Sequence, residues 1–314
     1  MGLFSNNKKL CPICNNPTPR LLPTKIEGMP ICKECDHKID LPDGKVNQMS
    51  LEEFQKYINF YDENQAMRNE FSATYHMDRG FFGGSFAIDV LHRWFRLKDN
   101  DTSLVMDSSN LKSFRILEDN SVLFEGNANA LKCHDNNVEA RAQALSPRIA
   151  QFRMEQQQYE MLEHLEEMRE RHSDNQDDKN QNRPYRSRPY FDVDAPVKKF
   201  HVELELTHPY WEFYTWKVDA PSFDREYPSV EGYMSEYRSR TDELHTLATN
   251  LMQVINPNAP EISDGATAQT AAAAPQAAPA TNTVEELQKY KELMDSGVIT
   301  EEEFTAKKRQ LLGI

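Results

Sequence analysis

The chain has 314 residues, 39% of them hydrophobic, with a formal net charge of -14 and a mean hydropathy of -0.75. That supplies one moderate core with small attached modules, not a core spanning the whole length. No run approaches the ~20 apolar residues of a membrane-spanning helix.

The opening MGLFSNNKKL lacks the apolar stretch of a secretory signal, and Asn6 stands where myristoylation needs Ser or Thr. The expectation is a soluble cytoplasmic protein. Residues 49–256 hold 36 acidic and 24 basic side chains, whereas residues 1–48 hold 7 basic and 5 acidic. Phosphate neutralisation dominates nucleic-acid affinity, so the acidic body repels such a partner and only the N-terminal segment escapes the objection.

Six segments follow in chain order. Residues 1–46 combine four cysteines with several prolines and read as a small zinc ribbon. Residues 50–65 form a connecting helix: Ser50 and Glu53 make a capping box, and Leu51, Phe54, Tyr57, Ile58 and Tyr61 recur at helical spacing. Strand patterns then run through Ser85–Leu91, Arg93–Leu97, Ser103–Asp107, Phe114–Leu117 and Val122–Phe124, with Asp99-Asn100-Asp101 and Asp119-Asn120 as turns. Residues 139–190 interrupt them as a helical insertion and flexible loop. Ser146-Pro147 opens a helix there that carries Ile149, Phe152, Tyr159, Leu162 and Leu165 on one stripe.

Strands resume at Lys199–Leu206 and Trp211–Val218. A helix follows from about Ser229 to Ile255, with Tyr233, Leu247 and Leu251 as its buried face. Strands, then one amphipathic C-terminal helix, is the order of a pleckstrin-homology-like domain, here split into 70–138 and 191–256. Residues 257–282 are an Ala/Pro linker. Residues 283–314 form a two-helix hairpin, with Gly297 ending its first helix and Thr300 with Glu303 capping its second. The expected class is α+β: a zinc ribbon, an antiparallel pleckstrin-homology-like β-barrel or sandwich closed by a C-terminal helix and interrupted by a helical insertion, then a helical hairpin.

The strongest chemical signal is Cys11-Pro12-Ile13-Cys14 followed by Cys32-Lys33-Glu34-Cys35. Zinc favours a tetrahedron of soft ligands, and each CxxC turn presents two thiolates. The expectation is a structural zinc ion held by Cys11, Cys14, Cys32 and Cys35. Disulfides and a redox CxxC pair are the alternatives; an intracellular chain disfavours the first, and a redox pair needs no twin. His37 reads as an ordinary surface histidine. Cys133, beside His134, reads as a leftover structural cysteine.

A catalytic constellation is absent: no GxxxxGK, HExxH, GxSxG or GxGxxG occurs. Glu160, Glu163, His164 and Glu167 read as a solvated helix face. No enzymatic activity is expected.

The residues Leu287 to Lys308, with the core Gly297-Val298-Ile299-Thr300-Glu301-Glu302-Glu303-Phe304 and the following Lys307, Lys308, Leu311 and Leu312, resemble the short C-terminal domain called SHOCT. The Cys11–Cys35 block resembles a four-cysteine zinc-ribbon domain of unknown function that begins bacterial and phage proteins ending in SHOCT. Ser113–Asp119 is similar to a strand and turn in the middle region of such proteins. In relatives a Gly-rich segment follows, whereas Asn127–Arg148 and a charged helix stand there in this chain. The resemblance implies a bacterial or phage cytoplasmic protein, a bound zinc ion, and a hairpin that mediates oligomerisation or partner contact. It implies no known reaction.

Three functional readings follow. The first is a non-enzymatic adaptor that meets itself or another protein through Leu287, Tyr290, Leu293, Ile299, Phe304 and Leu311. The second is a nucleic-acid-associated regulator using Lys8, Lys9, Arg20, Lys25 and Lys33 on the zinc ribbon. The third is a lipid-binding barrel using the basic strand His92–Lys98, the repeats Arg183-Pro184-Tyr185 and Arg188-Pro189-Tyr190 being read as parts of a tether.

Overall fold

The computed structural model describes residues 9–78, 84–172 and 187–263. The hairpin of residues 283–314, with Leu287, Tyr290, Leu293, Ile299, Phe304 and Leu311, lies outside the described residues. So do Lys8 and the Arg183-Pro184-Tyr185 repeat.

The N-terminal module is a two-residue hairpin, β1 (Lys25–Ile26) with β2 (Met29–Pro30), followed by the short helix α1 (Lys33–His37). Helix α2 (Leu51–Glu63) starts where the sequence says it should. The Ser50 hydroxyl accepts from the Glu53 N–H, and the Glu53 carboxylate accepts from the Ser50 N–H at 2.8 Å. Its apolar residues Phe54, Tyr57, Ile58 and Tyr61 are buried against Ile26, Ile31, Leu41 and Met49 of the N-terminal segment and Leu104 of the body. Helix α3 (Gln65–Glu70) continues from it.

Ten further strands form two sheets. The first has the order β3-β4-β5-β6: β3 (Tyr75–Asp78), β4 (Ser85–Asp89), β5 (Trp94–Arg96) and β6 (Met106–Asp107), all antiparallel neighbours. The second contains β7 (Leu111–Glu118), β8 (Ser121–Asn127), β9 (Leu131–Cys133), β10 (Lys199–Leu206), β11 (Phe213–Asp219) and β12 (Glu261–Ser263), in the order β11-β10-β7-β8-β9-β12. β10 pairs with β7 across the segment that separates them in sequence, with Val202 opposite Ile116. Along β10 every second residue from Phe200 to Leu206 is buried, the signature of a strand with one face on a core.

Between β9 and β10 lie α4 (Val138–Gln143) and the 27-residue α5 (Ser146–His172). Among the described residues, the start of α5 is the part that enters the buried core. Ile149 and Phe152 are buried, while Leu162 and Leu165 are 39% and 50% exposed. Phe152 packs on Phe191, and Phe191 on Phe223, at 5.3 and 5.5 Å between ring centres. The tether segment holding Arg188 and Tyr190 therefore ends in an anchor: Arg188 pairs with Glu226 at 3.6 Å.

Helix α6 (Val230–Ile255) is capped by Ser229, whose hydroxyl accepts from the Gly232 N–H at 2.8 Å. It lies on β7, β8, β9 and β4. Tyr233, Leu247 and Leu251 are buried within a core shared by both sheets. One close approach depends on a missing side chain. A Cβ at Gly126 of β8 would stand 2.8 Å from the Met252 sulfur and closer still to the Phe114 ring.

The expected barrel is not closed among the described residues: no ladder joins the two sheets. A barrel must pair its last strands with its first. Here β6 stops after two residues in a turn where the Asp107 N–H donates to the Asn110 side chain, and the far edges of the larger sheet are β11 and the three-residue β12. The sheets share a core through side chains instead, with Phe86 of β4 stacked on Trp216 of β11 at 5.4 Å.

Candidate metal centre

Two tight turns bring the four N-terminal cysteines together. In the first, Leu10 and Pro17 form a bridge, Cys11 N–H donates to Asn16 O at 2.9 Å, and Asn15 N–H donates to Cys11 O at 2.9 Å. Asn15 takes a left-handed conformation (φ 62°), which asparagine tolerates better than most side chains. In the second, the β1–β2 hairpin turns through Glu27 and Gly28, both at positive φ, the twist that suits a two-residue hairpin. The chain then enters α1 with Cys32 as its N-cap, its sulfur accepting from the Cys35 N–H at 3.5 Å.

The Sγ atoms lie 3.8 Å apart for Cys11 and Cys35, 3.3 Å for Cys14 and Cys32, and 3.6 Å for Cys14 and Cys35. A tetrahedral zinc ion with ~2.3 Å bonds spaces its sulfurs about 3.8 Å apart, so the donor set fits that ion in kind and in spacing. Disulfide bonds do not link these cysteines, since their closest sulfurs are 3.3 Å apart. Cys11, Cys32 and Cys35 are buried and Cys14 is exposed.

The electrostatics of the cluster invite a cation. Burial raises the Cys11 thiol, but the N–H groups of Cys32, Cys14 and Ile13 outweigh it and bring the pKa down to about 7. Burial pushes Cys35 up, and the neighbouring sulfurs of Cys14, Cys32 and Cys11 push it further. Burial also raises Cys14, with Cys32 and Cys11 adding to it against the lowering bonds of Asn16 and Cys35. Adjacent thiolates penalise one another, and a bound divalent cation reverses that penalty. Outside the sulfurs, Asn16 donates to Glu34 at 2.6 Å and Thr24 to Asp36 at 2.6 Å, tying both turns to α1.

The remaining sequence candidates disperse. Lys9, Arg20, Lys25 and Lys33 are exposed on the N-terminal module. The basic strand is spent inside the body. Arg93 donates to the carbonyls of Val254 and Ile255 at the end of α6, at 2.7 and 2.6 Å. Buried Arg96 donates to Arg68 O at 3.0 Å and lies over the Phe71 ring. His92 pairs with Asp89 and stacks on Trp94. Glu160, Glu163, His164 and Glu167 lie along α5 and belong to neither of the ligand clusters found among the described residues.

Among the described residues a second group of ligand atoms does converge: Cys133, His245 and Glu261. Sequence reasoning set Cys133 beside its neighbour His134 and missed the other two. No local signal links residues 112 and 128 positions away in the chain.

No helix among the described residues is long and apolar enough to cross a membrane. No curated protein and no solved structure matches the chain. The family model of the short C-terminal domain, SHOCT, matches residues 285–312, the segment that follows the Ala/Pro-rich stretch.

Proposed function

We propose that this protein is a non-enzymatic adaptor whose N-terminal module is held by a structural zinc ion and whose C-terminal segment contacts a partner or a second copy of the chain. The observation that carries the reading is the convergence of four cysteine sulfurs at zinc spacing, at the opposite end of the sequence from the SHOCT match. Zinc bound there would supply folding free energy to a module too small to fold on its own core. The four thiolates would complete its tetrahedron, leaving no position for substrate.

The rest of the body presents an anchoring platform. Two sheets sharing one core under α6 support a pleckstrin-homology-like reading. The engagement of Arg93 and Arg96 by backbone carbonyls weighs against lipid headgroup binding by that strand. Resemblance to zinc-ribbon proteins ending in SHOCT supports a bacterial or phage cytoplasmic setting.

The test compares the full chain with a version lacking residues 283–314, by zinc content, light-scattering mass and capture from bacterial lysate. The adaptor reading expects zinc in both versions, with self-association or a captured protein only in the full chain. Equal mass and equal capture from both versions would remove it. Nucleic acid retained by both and released by salt would favour Lys9, Arg20, Lys25 and Lys33 as a phosphate-binding face instead.

A further inference from the structure

We propose that Cys133, His245 and Glu261 form a second zinc site, apart from the four-cysteine centre, that pins β12 to α6. Cys133 Sγ lies 3.4 Å from Glu261 Oε1, and His245 Nε2 lies 3.1 Å from the same oxygen. All three ligand atoms lie within 4.8 Å of one another. Zinc bonds of ~2.0–2.3 Å place tetrahedral donors of these kinds about 3.3–3.7 Å apart, close to the spacing observed.

Three separate elements build the site. β12 runs parallel to β9 with Glu261 opposite Leu131 and Ser263 opposite Cys133. Strand parity therefore puts Cys133 and Glu261 on the same face as buried Leu131. His245 comes from α6, and its ring packs against Phe124, itself the register partner of Cys133 on β8, at 5.4 Å. The imidazole thus has an apolar wall, and the carboxylate opens to solvent, a path by which an ion can enter.

The arrangement selects a metal over a proton relay. A thiol–imidazole–carboxylate relay puts the imidazole in the middle, one ring nitrogen serving each partner. Here the thiol and Nε2 both address one carboxylate oxygen, so the three groups converge on a point. A thiolate with an imidazole and a carboxylate favours zinc over magnesium or calcium, which prefer all-oxygen shells. The three donors among the described residues fill three of zinc's four tetrahedral positions.

The site also ties a short edge strand to the helix beside it. β12 has three residues, all exposed, and sits parallel at the edge of the sheet. Its ladder opens with a bond from Leu131 N–H to Pro260 O, 3.0 Å long, and Glu261 adds the contacts to Cys133 and His245. Residue 264, directly after it, begins the stretch leading to the SHOCT match. Zinc occupancy would decide whether the chain leaves the body at β12 or nearer the end of α6.

The test loads the full chain with zinc chloride, desalts it, and measures bound zinc and hydrogen exchange over residues 260–263. Cys133→Ala and Glu261→Gln are compared with wild type; the second keeps the shape of the side chain if the first perturbs β9. Each substitution is expected to remove about one equivalent of zinc and to speed exchange in β12 at least about tenfold in the presence of zinc. Cys14→Ala separates the two centres, since it removes the other equivalent and leaves β12 protected. Zinc content unchanged by both Cys133→Ala and Glu261→Gln would overturn the proposal, whatever the four-cysteine centre does.

Discussion

The indole N–H of Trp211 donates to the backbone carbonyl of Asp40 at 3.1 Å, joining the connection between β10 and β11 to the end of the four-cysteine segment. Asp40 is bound from three more sides. Its N–H donates to the Tyr57 hydroxyl at 2.7 Å, its carboxylate accepts from Leu104 N–H at 2.9 Å, and Lys98 Nζ stands 3.8 Å away. The N-terminal module is thus riveted to the sheets rather than tethered. Trp211→Phe keeps most of the buried ring but leaves the Asp40 carbonyl without its donor, at a cost of about 1–3 kcal/mol. Urea unfolding measures this, and an unchanged midpoint would show the bond to be idle.

That rivet makes metal removal a matter for more than the first 46 residues. Ile26 and Ile31 share a buried cluster with Phe54, Tyr57 and Leu104. Chelation, or Cys35→Ser, is expected to expose α2 as well, lowering the thermal midpoint by at least about 10 °C. Hydrogen exchange along residues 51–63 with and without chelator checks it. Exchange confined to residues 9–48 would show that the cluster does not transmit the loss.

His208 should make the protein acid-sensitive. It is 7% exposed, its Nδ1 accepts from Tyr210 N–H at 3.3 Å, and its ring meets Phe60 edge-on. Burial lowers its pKa from 6.5 to about 4, against a smaller opposing pull from Asp107. The folded state favours the neutral ring, so the stability this provides is complete above about pH 6.5 and is lost as pH falls through about 4, at most about 3 kcal/mol. Urea titrations of wild type and His208→Gln at pH 7 and pH 4.5 should show the smaller loss in the variant.

Gly126→Ala tests the seat of α6. The added Cβ meets the Phe114 ring and the Met252 sulfur at well under van der Waals distance. Repacking of that kind costs about 1–3 kcal/mol. Stability equal to wild type would mean that Phe114 moves freely in its core.

Glu118 and Tyr237 form a buried pair, with the hydroxyl donating to the carboxylate at 2.5 Å and Arg141 at 3.3 Å on its other oxygen. Burial raises the Glu118 pKa, and the Tyr237 bond and Arg141 offset part of the rise. Tyr237→Phe should cost about 1–3 kcal/mol at pH 7. The cost shrinks as pH falls through the carboxylate range, because a protonated Glu118 needs the donor less. A cost that does not vary with pH would assign the loss to packing.

Local sequence determined whatever depends on neighbours in the chain. Two CxxC turns, the Ser50–Glu53 cap, the alternation along Lys199–Leu206 and the α+β character are set within a few residues, where turn geometry and the periods of helix and strand operate. Tertiary structure decided the rest. The basic strand that invited a lipid reading is consumed where Arg93 caps α6, 161 residues on. Along α5, Ile149 and Phe152 are buried beside the Phe191–Phe223 stack, while Leu162 and Leu165 further on are exposed. Among the described residues no ladder joins the two sheets, and the edge strands β6 and β12 hold two and three residues. Cys133 meets ligand atoms from α6 and β12, because ligand geometry is a property of atoms in space, and chain folding alone brings positions 133, 245 and 261 to one point.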